Sequence, residues 1–343
     1  MDMWPCDDHQ TLRDKMRAIV AQFPDGPWLW DALYERGVLA ALMPREAGGT
    51  DGSGAAIAII CEELGRACAN VPVLESVLVC GRVLAQHPDF EDLAENIVAG
   101  RQRAAFAGLE MTGDRYDWRS QFTVSDDRLT GQKMLVTGGD EADWIVVPTG
   151  DALYLVARDV PGMSRRDVVM LGGLRGADLT FRDSPSVRIG AAADHRQTIA
   201  RGVLGRCADA LGAMEAAKAL TIDAMKARMG AEAGTPGFRD DCHRLADMAV
   251  ATDHARSAVM NFAAHADAEP PVQAWHAAMS KATVSEAARR VADLAIAIQG
   301  VAALSEDGQL GPVLRRLWLG EITFGERDHS LTLMTRLQRA TNR

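Results

Sequence analysis

The stretch Gln121–Ala157, QFTVSDDRLTGQKMLVTGGDEADWIVVPTGDALYLVA, decides the fold. Short runs dense in β-branched and aromatic residues alternate with turn signals, first Asp126-Asp127 and then Thr149-Gly150-Asp151. That pattern predicts two hairpins in succession. DLTFRDSPSVRI, Asp178–Ile189, reads as a third. Strands this short, with a turn roughly every ten residues, predict a small antiparallel barrel or sandwich.

The flanks of this stretch are helical. In AAIAIICEELGRAC, Ala55–Cys68, apolar residues fall at Ile57, Ile60, Cys61, Leu64 and Cys68, which is one helix face. Glu62, Glu63 and Arg66 fall on the other face. The preceding EAGGTDGSG, Glu46–Gly54, lacks the Lys-Ser/Thr of a phosphate-binding loop and follows no strand, so it reads as a plain turn. Arg196–Met229 predicts one helix about 50 Å long at 1.5 Å per residue. GAEAGTPG, Gly230–Gly237, ends it. Helices follow over Phe238–His265 and Val272–Gln299, and a last one starts near Leu310. The predicted fold is mainly α with a central antiparallel β domain. It comprises an N-terminal helical domain (1–100), a β domain (101–190) and a C-terminal four-helix bundle (191–343). Junctions between such domains are favoured places for cofactors.

Composition narrows the function. Of 343 residues, 48% are hydrophobic and 24% charged, as in an ordinary globular protein. A net charge of −10 argues against a nucleic-acid partner, which needs a basic surface. No apolar run is long enough to span a bilayer, and MDMWPCDDHQ has no secretory character. The six cysteines form no CxxC pair. They read as reduced, buried residues of a cytoplasmic protein rather than a disulfide framework or a zinc site. His243 and Asp247 share a helix face at metal-ligand spacing, but no third ligand accompanies them, so no metal is expected.

Three segments carry a resemblance. ERGVLAALMPREAGG followed by EELGRACANVPVLES, then LTGQKMLVTGGDEADWIVV, then FRDDCHRLADM occur in one order at consistent spacing. Together they resemble the acyl-CoA dehydrogenase family along almost the whole chain. The resemblance implies bound FAD, an oligomer with the flavin at a subunit interface, and an acyl-CoA or acyl-carrier thioester as substrate. It implies removal of the α-proton by a carboxylate and of the β-hydride by flavin N5. An electron-transfer flavoprotein or similar acceptor would reoxidise the flavin. Short members of the family often act on bulky, ring-containing acyl groups, as in lipid or steroid metabolism.

Matched position by position, Thr137 takes the place of the family's flavin-contacting hydroxyl residue. Leu109 replaces a Thr in the preceding flavin strand and retains only backbone groups. Arg228, in RMGAE, stands for the arginine that holds the flavin pyrophosphate. In IQGVAA, Ile298–Ala303, Gln299 stands for the family's Gln or its nearby His. Gly300 is the one glycine kept where the family's backbone approaches the dinucleotide. The lost glycines imply altered or weakened FAD binding.

The base is displaced. In LGEITFGERDHS, Leu319–Ser330, the position of the family's Glu holds Gly325, and Glu326 follows it. One residue turns a helical side chain by about 100°. The family's alternative position, on the first C-terminal helix, holds Gly202. Asp209 lies seven residues later on the same face, within the apolar CADALGAM. Unpaired there, it would have a raised pKa suited to a general base. Glu326 and Asp209 are therefore the two candidate bases. The alternatives to a complete dehydrogenase are a subunit that shares one FAD with an unlike partner, and a non-redox enzyme on the same scaffold.

Overall fold

The computed structural model describes residues 7–24, 26–110, 122–171, 173–304 and 308–341. Helices α1 (Asp7–Gln22), α2 (Pro27–Glu35), α3 (Val38–Ala41) and α4 (Gly54–Arg66) come first. A buried π-helical run, Leu74–Gly81, continues into α5 (Arg82–Leu84), and α6 (Glu91–Val98) follows. The strands are β1 (Ala104–Phe106), β2 (Thr123–Ser125), β3 (Arg128–Thr137), β4 (Trp144–Pro148), β5 (Ala152–Ala157), β6 (Met163–Val169), β7 (Arg175–Pro185) and β8 (Val187–Ala191). Helices α7 (Arg196–Glu232), α8 (Pro236–Ala264), α9 (Pro270–Gln299), α10 (Leu310–Ile322) and α11 (Arg327–Thr341) complete the chain.

Two compact units form. One contains Phe23–Ala56 and Asn70–Gly202, and so all the described strands. Its sheets run β1-β4-β5-β8 and β2-β3-β7-β6. The Asp126-Asp127 turn has both residues at positive φ, 50° and 55°, the mirror-image geometry that suits a tight hairpin. The β4–β5 hairpin also forms as expected. Leu129, Val136, Ile145, Tyr154, Leu179 and Phe181 are buried in the core of this sandwich.

The third expected hairpin does not form. β7 pairs with β3 and β6, whereas β8 pairs with β5 in the other sheet. Only Ser186 separates β7 from β8, and one residue cannot reverse a chain as a two-residue hairpin loop does. The chain therefore steps from sheet to sheet. β1 and β6 are further strands that the sequence did not announce, and β1 pairs with β4 in parallel. The glycine-rich Glu46–Gly54 is structural. A Cβ on Gly49 would lie 1.9 Å from the Met43 carbonyl oxygen, and buried Arg82 donates to the carbonyls of Leu42 and Gly52.

The other unit contains Met1–Gln22, Ile57–Ala69 and Val203–Arg343. Here α4 and α7 touch backbone to backbone. A Cβ on Gly65 would lie 1.9 Å from the Asp209 carbonyl oxygen, and one on Gly212 would lie 1.8 Å from that of Glu62. Glu62 and Glu63 are not on a solvent face, as the helical pattern alone implied. They are 3% and 0% exposed. Arg13 bridges them at 2.9 and 2.6 Å, Arg66 contacts both at 3.1 Å, and Arg17 and Arg256 add one contact each at 3.2 Å. Burial opposes the Arg13 charge, but the two carboxylates outweigh it and hold the guanidinium above its ordinary pKa. Among the described residues, the last predicted helix breaks at Thr323–Glu326 into α10 and α11.

Gly212→Ala is expected to destabilise the protein by about 1–3 kcal/mol, because two helix backbones must separate to admit a methyl group. Gly230→Ala, a helical position with nothing within 4 Å of the new Cβ, is expected to stabilise it by roughly 0.5–1 kcal/mol. Urea unfolding of the two variants, followed by circular dichroism, measures both.

Candidate active site

Within the strand-bearing unit, Thr137 ends β3 opposite Gly176 and is 6% exposed. Its hydroxyl has no hydrogen-bond partner among the described residues. Leu109 is 45% exposed, and its carbonyl accepts from the Met134 amide at 2.9 Å. Glu110 then bridges to Lys133, whose Nζ donates to Glu110 Oε1 at 2.8 Å and to the Pro148 carbonyl at 2.7 Å. Burial pulls the Lys133 pKa down, and Glu110 partly restores it. Lys133 thus fixes the Leu109–Glu110 segment against β3 a few residues from Thr137. An exposed apolar side chain and an unengaged hydroxyl are the kinds of group that a flavin ring needs.

Within the helical unit, Asp209 is not the unpaired carboxylate that its apolar neighbours suggested. It is 3% exposed, and its oxygens accept from Arg316 Nε and Nη2 at 3.0 and 2.6 Å, with Arg206 at 3.4 Å. A carboxylate forked by one guanidinium and flanked by another has its oxygens already engaged. Arg228 pairs with Asp241 at 2.9 Å and Glu232 at 3.4 Å. Gln299 donates to Thr221 Oγ1 at 2.9 Å and so ties α9 to α7. Gly300 follows at φ 63°, ψ −142°, with open space where a Cβ would be.

Glu326 immediately precedes α11. Its carbonyl accepts from the Ser330 amide at 3.0 Å and from the Ser330 hydroxyl at 2.9 Å. The preceding residues, Phe324 and Gly325, have φ of 56° and 101°. The chain therefore enters α11 through a turn rather than along a continuous helix, and spacing counted along one helix does not apply across it.

Sequence reasoning missed Lys281. It is 2% exposed and donates to the carbonyls of Gly320 at 2.5 Å and Thr323 at 2.7 Å. Its only signal was a lone lysine among small residues in AAMSKATVSEAA. Cys61, Cys80 and Cys207 are buried as expected, but Cys242 is exposed, and Cys6 lies outside the described residues. Burial pushes the Cys207 thiol up to about 11. Asp247 pairs with Arg290 at 2.7 Å, and no group of three metal-ligating side chains occurs among the described residues. An open pocket of about 340 Å³ is lined by Arg13, Arg17, Glu62, Arg66, Glu215 and Arg256. Its carboxylates are held by guanidinium groups, which makes it a packing network rather than a seat for acid–base chemistry.

Burial lowers the Lys281 pKa to about 8. Between about pH 8 and the ordinary value of 10.5, the unfolded chain holds a proton that the folded chain has released, so this side chain adds stability as pH rises. Below pH 8 both states are protonated and the gain is gone. Urea unfolding of wild type and Lys281→Met at pH 8 and pH 10 is expected to show the difference shifting in favour of wild type at the higher pH.

The acyl-CoA dehydrogenase N-terminal domain model matches residues 7–89, and the C-terminal domain model matches residues 192–337. The probable acyl-CoA dehydrogenase FadE25 of Mycobacterium tuberculosis is 24% identical over 378 aligned residues, covering 96% of this chain and 95% of the relative. The human mitochondrial short-chain specific acyl-CoA dehydrogenase is 28% identical, covering 77% of this chain and 71% of the relative. A chain of the ChsE4–ChsE5 complex from Mycobacterium tuberculosis superposes with a TM-score of 0.88 at 22% identity, covering 100% of this chain and 99% of that one. No described helix is long and apolar enough to cross a membrane. With both domain models of one family matched in order on either side of the strands, the chain belongs to the acyl-CoA dehydrogenase family, as an acyl-CoA dehydrogenase-like enzyme.

Proposed function

We propose that the chain is an FAD-dependent oxidoreductase that desaturates an acyl thioester between its α and β carbons. The observation that carries this reading is Thr137, a nearly buried hydroxyl with no described partner at the family's flavin-contact position. Bound FAD supplies hydride acceptance, which no side chain provides. Thr137 and the Leu109 segment would hold the ring. Gln299, Gly300 and Arg228 are the groups available to the dinucleotide, and Arg228 must share its guanidinium with Asp241.

Of the two carboxylates, Glu326 is assigned the role of proton acceptor, because Asp209 is committed to its fork with Arg316. The α-carbon of a thioester is only weakly acidic, so its base must be held close and in one direction. Asp209 is assigned a structural role, holding α10 to α7. The names of the aligned relatives support an acyl-CoA substrate.

A second reading is favoured by Gly325, which stands where the family has its Glu, and by a structural neighbour that is part of a two-component complex. In that reading, the chain is an incomplete subunit that shares one FAD with an unlike family member. An acyl carrier protein instead of CoA, and an electron-transfer flavoprotein as acceptor, are compatible with either reading.

The purified chain, mixed with FAD and a series of acyl-CoAs, is expected to turn yellow and then bleach with one of them. A chain that stays colourless alone but takes up FAD beside an unlike family partner would establish the second reading instead. Thr137→Val is expected to weaken FAD binding by about 2- to 10-fold, the value of one hydrogen bond. Glu326→Gln is expected to slow bleaching by roughly 10²–10⁴-fold. Asp209→Asn is expected to cost about 3–5 kcal/mol of stability, by leaving buried arginines unpaired, and to spare the rate of the folded fraction. Stopped-flow absorbance and urea unfolding read these outcomes.

A further inference from the structure

The turn Thr323–Glu326 is pinned from one side by three residues of α9. Lys281, Glu286 and Arg289 lie on that helix, and each engages a different part of the α10–α11 junction. Lys281 Nζ takes the Gly320 and Thr323 carbonyls at 2.5 and 2.7 Å. Arg289 forks Glu321 in the last turn of α10, with Nε to Oε2 at 2.8 Å. Glu286 holds Arg327 Nε, the first residue of α11, at 3.0 Å.

The final carbonyls of a helix have no partner within it, and a cation near them is favoured by the helix dipole. Here a buried amine from a neighbouring helix fills that role. Thr323 adds its own hydroxyl to the Leu319 carbonyl at 2.9 Å. The end of α10 and the start of α11 are thus each tied to the same rigid helix. The segment between them contains two residues at positive φ, and Glu326 stands where it meets α11.

We propose that Lys281 is a positioning residue: from α9 it fixes the turn that carries Glu326, and so sets the direction in which the Glu326 carboxylate meets the substrate. This rests on the reading of Glu326 as the proton acceptor. Lys281 does not touch the reacting atoms. It acts through two backbone carbonyls, three and six residues before Glu326. The charged and titratable groups that act on the amine are Cys207, Arg206, Glu321 and Asp209, of mixed sign.

The test uses the full chain with FAD and the acyl-CoA that bleaches it. Lys281→Met keeps the length and the apolar stem but removes the donors. Hydrogen exchange by mass spectrometry is expected to speed up about tenfold across Leu319–Ser330 and to stay unchanged in α8. The bleaching rate at saturation is expected to fall about 10- to 100-fold, as for a reacting group misplaced by about 1 Å, with half-saturation within twofold of wild type. Lys281→Met combined with Glu326→Gln is expected to be no slower than Glu326→Gln alone, because both changes disable the same group.

Unchanged exchange in the turn overturns the proposal, as does an unchanged rate or multiplied losses in the double variant. A fall in thermal stability alone, with exchange and rate intact, overturns it too. If wild type never bleaches with any acyl-CoA, the enzymatic reading fails, while the exchange measurement still decides whether Lys281 holds the turn. Should Lys281→Met not fold, Arg289→Gln, whose side chain is 47% exposed, loosens the same helix end and is expected to give the same pattern in weaker form.

Discussion

The close crossing of α4 over α7 is the constraint on which the helical unit depends. Gly65 and Gly212 let the two backbones meet, and each faces a carbonyl of the other helix. That contact brings Glu62 and Glu63 into the interior, where they need partners. Arg13 on α1, Arg66 on α4 itself and Arg256 on α8 supply them. Three helices are thereby joined by two adjacent carboxylates. Buried ion pairs add little net stability over a well-packed apolar core, but a missing partner is costly, so the arrangement favours one packing over its neighbours.

Asp209 belongs to the same logic. Its carbonyl lies against Gly65, and its carboxylate holds Arg316 on α10. One residue therefore links the α4–α7 crossing to the helix that leads into the Thr323–Glu326 turn. At the far end of that helix, Lys281 takes over from α9. α10 is held at its middle by the Asp209–Arg316 pair and at its C-terminal end by Lys281, and the turn follows directly on the second anchor.

Much of this fold was legible in the sequence because its signals are local. The Asp126-Asp127 and Thr149-Gly150-Asp151 turns, and the lengths of α7, α8 and α9, follow from patterns within a few residues. What failed depended on distance. Asp209 read as unpaired because Arg316 is 107 residues away. Glu62 and Glu63 read as solvated because a helical wheel assumes one buried face, whereas α4 is covered on two sides. The β7–β8 hairpin was drawn from composition, although a single intervening residue ruled it out. For the site, the motif resemblance singled out Thr137, Gly300 and the turn as candidates. The unengaged hydroxyl, the forked Asp209 and the contacts of Lys281 required coordinates.

Gly325 carries a consequence for how such a site can change over time. At φ 101° it lies outside even the small left-handed region open to ordinary L residues. A glutamate placed there would be strained although nothing crowds the space around it. One substitution at this position therefore cannot supply a relaxed carboxylate. The backbone of the turn would have to be rebuilt first. As long as the turn keeps this backbone, position 325 stays closed to a relaxed acidic side chain.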